Sequence, residues 1–118
     1  MIYKNTFTIN KTSKNFELVT RALCKDQHND ILEIDLHDYF FKFYKNDDLD
    51  KKFELILKEL VTDEDINNAD YIMNCLIFKI NHNEVLISYS GLLMSLKYNK
   101  NIYNFKEDKN IVALIRPI

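Results

Sequence analysis

A chain of 118 residues is one domain by length and can bury a core without disulfide or metal staples, so residues 1–118 are expected to form a single domain. Its one Gly excludes the dinucleotide loop, the phosphate loop and the nucleophile elbow, each of which needs several glycines. The formal charge of −2 hides a sorted distribution: residues 26–70 hold fourteen carboxylates against five bases, a net of −9, between two basic ends.

In chain order, Thr12 or Ser13 caps a predicted first helix in which Phe16, Val19 and Leu23 recur at helical spacing, ending near Lys25. A polar loop follows over Asp26 to Asp30. Leu32, Ile34 and Leu36 alternate with Glu33, Asp35 and His37, which is the pattern of a strand with one wet, acidic face. Beyond it the apolar parity shifts at Tyr39, Phe41 and Phe43, so a bulge or tight turn is expected at His37-Asp38. The aromatic run Tyr39, Phe40, Phe41, Phe43 and Tyr44 has only Lys42 and Lys45 for company, so it reads as core rather than as a base-stacking surface.

Asp47 and Asp48 open a predicted second helix with Leu49, Phe53, Ile56 and Leu60 as its buried stripe, and acid-before-base pairs such as Glu54 and Lys58 on its outside. Thr62 starts a capping-box-like Thr-Asp-Glu-Asp, from which a short third helix runs through Ile66 and Ala69 to Met73. Cys75 to Ile80 and Val85 to Ser90 form a hairpin around Asn81 to Glu84, its first strand apolar on both faces. Leu92 to Tyr98 fits a strand or one helical turn. Ile102 to Phe105 and Ile111 to Ile115 make a final hairpin, with Pro117 beyond its last strand. With glycine so scarce, the turns fall to Asn and Asp. The expected fold class is α+β, an antiparallel sheet of four to five strands with two to three helices on one face.

Glu33, Asp35 and His37 on one strand face are the most enzyme-like cluster, because alternating carboxylates and an imidazole can converge on a divalent metal. They lack a placed second base, and the expectation is a non-enzyme without cofactor or bound metal. His28, His37 and His82 form no recognisable acid–base pair, and Ser88, Ser90 and Ser95 have no nucleophile context. Cys24 and Cys75, without paired spacing, read as buried hydrophobes in a reducing cytoplasm. No apolar run reaches the length of a signal or membrane segment.

Ten of the fourteen carboxylates fall in two windows free of Lys and Arg, 26–38 and 59–70. Such a field draws in basic protein surfaces and repels nucleic acid. The expected function is therefore a small cytoplasmic inhibitor, of the kind represented by immunity proteins, antitoxins and phage anti-defence proteins. Its candidate partner-binding residues are Asp30, Glu33, Asp35, Asp38, Asp63, Glu64, Asp65 and Asp70, aimed at a basic toxin or nucleic-acid-processing enzyme. The alternatives are a metal-dependent hydrolase or nuclease built on Glu33, Asp35 and His37, and an oligomeric adaptor using a strand edge. No nucleic acid or membrane partner is expected, and the oligomeric state is open.

Overall fold

The computed structural model describes residues 2–40, 51–100 and 102–118. The fold is nearly all β: eight antiparallel strands close into a barrel in the order β1-β2-β3-β7-β6-β5-β8-β4. The strands are β1 (Tyr3–Phe16), β2 (Val19–Lys25), β3 (Ile31–His37), β4 (Lys52–Lys58), β5 (Tyr71–Asn81), β6 (Glu84–Tyr89), β7 (Leu92–Lys97) and β8 (Lys109–Pro117), with one short helix α1 (Asp63–Asn68) between β4 and β5. This overturns the expected α+β sandwich of sheet and helices. Among the described residues no helix is long and apolar enough to cross a membrane.

Each correction has a local cause. The first predicted helix is the β1–β2 hairpin, which turns at Glu17-Leu18 with Leu18 at φ 64 and pairs Phe16 with Val19. Its supposed stripe is thereby split: Phe16 is 63% exposed, whereas Val19 is buried. The true pattern in β1 has period two, with Tyr3, Phe7 and Ile9 pointing inward. The described half of the second predicted helix is β4. There Phe53, Leu55 and Leu57 face the core while Glu54, Ile56 and Lys58 face out, and Leu60 lies beyond the strand fully in solvent. Asp47, Asp48 and Leu49, the start of that predicted helix, lie outside the described residues. The third helix exists with its capping box but stops at Asn68, and Met73 belongs to β5.

The strand over Leu32 to Leu36 and the β5–β6 hairpin lie where the sequence put them, the latter turning on Asn83 at φ 57. The chain turns rather than bulges after His37. β5 is buried on one side only, because a closed barrel has no central strand apolar on both faces. Leu92 to Tyr98 resolves as β7, entered through Ser90 and Gly91, both at positive φ, as a two-residue turn between antiparallel strands requires. Pro117 is the last residue of β8, opposite Phe53, not beyond the strand. The final hairpin is half right: β8 forms, but 102–106 is not a strand.

The barrel interior is filled by side chains. Tyr3, Phe7, Phe53, Leu32, Ile34 and Ile77 are among those less than 2% exposed, so an eight-strand barrel that could hold a small ligand instead holds its own core. One end is stopped by aromatics: Tyr103 lies with its ring 4.8 Å from Tyr3 and 5.5 Å from Tyr98, and Phe105 packs beside both. That is the role of the segment expected to be a strand.

Candidate partner-binding surface

The first acidic window is spent inside the molecule. Asp30 is buried, accepts the Tyr3 hydroxyl at 2.8 Å and the Asn99 backbone N–H at 2.9 Å, and donates its own N–H to Asp26 at 2.7 Å. Asp26 also accepts from the His28 N–H at 2.9 Å and from the Asn5 amide, holding a loop in which Asn29 sits at φ 68. Burial, reinforced by the neighbouring Asp30 carboxylate, drives the Tyr3 phenol far above its ordinary pKa, so it remains a donor at any physiological pH.

Asp35 occupies the place where a β-ladder stops. β3 and β7 pair from Ile31↔Lys97 to Ile34↔Met94, and at the next position the Asp35 carboxylate accepts the Leu93 N–H at 3.2 Å. Its other oxygen takes Arg21 Nε at 2.9 Å from the paired position on β2, and the hydrogen bond raises the arginine's pKa further. Asp35 is consequently 2% exposed although its side chain points to the outer side of the sheet. Asp38 bonds Lys14 and accepts the Thr20 hydroxyl at 2.8 Å. Of the four candidates in this window only Glu33 is exposed.

The second window is arranged the other way. Thr62 accepts the Asp65 N–H at 3.2 Å and Asp65 accepts the Thr62 N–H at 2.9 Å, while Lys58 donates to both Asp65 oxygens at 2.8 Å. The lysine first, and then the Thr62 N–H, hold the Asp65 carboxyl below its ordinary value. With Asp65 anchoring α1 to β4, Asp63, Glu64 and Asp70 stand in solvent without an ion pair among the described residues. Beside them Leu60 is 86% exposed and Ile66 45%. Leu60, placed in a buried stripe by helical spacing, and Ile66, placed in the third helix, are exposed apolar positions that this spacing did not announce. The capping box is the signal that could have found them, because it starts a new helix at Thr62 and strands Leu60 in the preceding loop.

The metal trio does not converge. Glu33, Asp35 and His37 share the outer side of β3, but Asp35 is committed to Arg21 and Leu93, and the His37 Nδ1 accepts the Tyr39 N–H at 3.2 Å. Among the described residues no group of three His, Cys, Asp or Glu side chains is placed to hold a metal ion. Tyr39 and Phe40, expected in the core, are 64% and 70% exposed and pack on His37; Phe41, Phe43 and Tyr44 lie outside the described residues. A cleft of about 400 Å³ opens there, between His37 and Phe40 on one side and Ile72 and Met73 on the other. Ser95 donates to Glu84 at 3.1 Å, with no imidazole in that contact. Both thiols are buried, and burial pushes Cys24 up to about 12 and Cys75 up to about 11, which leaves neither a nucleophile at neutral pH.

The sequence matches no protein-family model and no curated protein.

Proposed function

We propose that the protein is a cytoplasmic, non-catalytic binding domain of the inhibitor type, which docks a basic partner protein on the corner formed by the end of β4 and α1. The observation that carries this reading is the combination at that corner: the exposed carboxylates of Asp63 and Glu64 flanked by the exposed Leu60 and Ile66. Surface carboxylates alone are ordinary solvation, but a solvent-exposed leucine just before them supplies the apolar anchor that charged rims lack. A barrel whose interior is full suits this role, since it presents the corner rigidly. Asp30, Asp35, Asp38 and Asp65 are withdrawn from the docking set because their oxygens are already occupied within the fold. The two buried free thiols support a reducing compartment.

The test is titration calorimetry of the chain with the protein encoded beside it, at low and at physiological salt. Asp63→Lys with Glu64→Lys should weaken binding about tenfold and flatten the salt dependence, and Leu60→Ser should weaken it at every salt concentration. Binding indifferent to all three changes overturns the docking corner.

A further inference from the structure

The outer wall over β5, β6 and β7 carries an exposed apolar patch. Exposed positions along β1 read Lys4, Thr6, Asn10, Lys11, Thr12, Ser13 and Lys14, with an apolar one, Phe16, only at its end. On β5 to β7, by contrast, Phe78 is 39% and Leu93 47% exposed, and with the half-buried Leu86 they line a cleft of about 190 Å³ on the outside of the barrel. Phe78 owes its position to an irregularity. The β5–β6 register shifts between Ile77 and Lys79, and this bulge turns two consecutive side chains, Phe78 and Lys79, to the outside.

The charges around this patch follow the register. One row across the wall runs Lys79 on β5, Leu86 on β6, Ser95 on β7 and Glu33 on β3. The next runs Asn81, Glu84, Lys97 and Ile31 over the same four strands. In each row an acid and a base lie on opposite sides of the line between β6 and β7. Neither Lys79 nor Glu33 has an ion pair among the described residues.

A two-fold axis parallel to the strands, passing over that line, carries one side of the wall onto the other. It would set Lys79 of one copy over Glu33 of the second and repeat the contact by symmetry; Glu84, whose oxygens already accept from Asn81 and Ser95, would lie over Lys97 without being needed as a partner. A pattern with opposite signs about one line is complementary to itself, which is what a closed two-fold interface needs. We infer that this wall is the interface of a homodimer, in which Phe78, Leu86 and Leu93 of two copies pack sheet on sheet with strands nearly aligned.

Sedimentation equilibrium of the full chain tests this, with thermal unfolding to verify that each variant is folded. The wild type should dimerise. Lys79→Glu alone and Glu33→Lys alone should each loosen the dimer about tenfold, while the two together restore it; Leu93→Asp should leave only monomer. Asp63→Lys with Glu64→Lys should leave the dimer unchanged, so failure of the docking corner and failure of this interface are separate results. A wild-type chain still monomeric at about 300 µM overturns the inference, as does a dimer that survives Leu93→Asp or one that the paired reversal fails to restore.

Discussion

Two stretches of this chain carry carboxylates without Lys or Arg, and the fold uses them in opposite ways. In 26–38 the carboxylates replace missing main-chain partners: Asp30 accepts the N–H of Asn99 and Asp35 that of Leu93, each reaching a residue far away in sequence. In 59–70 one carboxylate, Asp65, closes a helix cap on its own neighbours, and Asp63 and Glu64 are left to the solvent. Charge density in a sequence therefore does not measure charge on a surface. The deciding quantity is whether the folded backbone nearby has donors left over.

Substitutions should separate the two windows, with the greatest effect at Asp30. Asp30→Ala leaves the buried Tyr3 hydroxyl and the Asn99 N–H without their acceptor and should cost about 3 kcal/mol, measured by chemical denaturation. Asp35→Ala should cost about 2 kcal/mol, less because the Arg21 side chain, 39% exposed, can turn to water. Thr62→Ala removes one half of the capping box and should cost about 1 kcal/mol. The paired reversal of Asp63 and Glu64 to Lys should change stability by less than about 0.5 kcal/mol. A loss there comparable to that at Asp30 would erase the distinction between the windows.

Acid sharpens the same contrast. The folded pKa of Asp65 lies below its ordinary value of 3.8, so its stabilisation is complete above that value and fades as pH falls through the lower, folded one. The amide signals of Asp63 to Asn68 should accordingly hold their native positions down to about pH 4 and shift below it.

What was legible in the sequence was whatever a few neighbouring residues decide. Thr62 and Asp65 announce the helix start; Asn81 to Glu84 announce a hairpin; Leu32, Ile34 and Leu36 announce a strand. The stretch FELILKEL was ambiguous because Phe53, Ile56 and Leu60 satisfy a helical spacing while Phe53, Leu55 and Leu57 satisfy period two. Pairing decided it: β4 lies between β1 and β8, and such ladders join residues too distant for any local pattern to report. The candidate site was half legible for the same reason. Asp63 and Glu64 are exposed as a solvated helix start implies, but Asp35 looks exposed until the register sets Arg21 directly opposite it.

The strand order has one further implication, for the making of the protein. β8 is hydrogen-bonded to β5 on one side and to β4 on the other, so it joins two groups of strands that precede it along the chain. Before β8 emerges from the ribosome, β4 and β5 each present a bare edge, and β4 offers the alternating Phe53, Leu55 and Leu57 to any extended chain nearby. Closure must wait for β8, the last strand of the barrel to be made, so its non-local ladders should make folding slow. Until that last stave is in place, the bare edges of β4 and β5 are open to pairing with other extended chains.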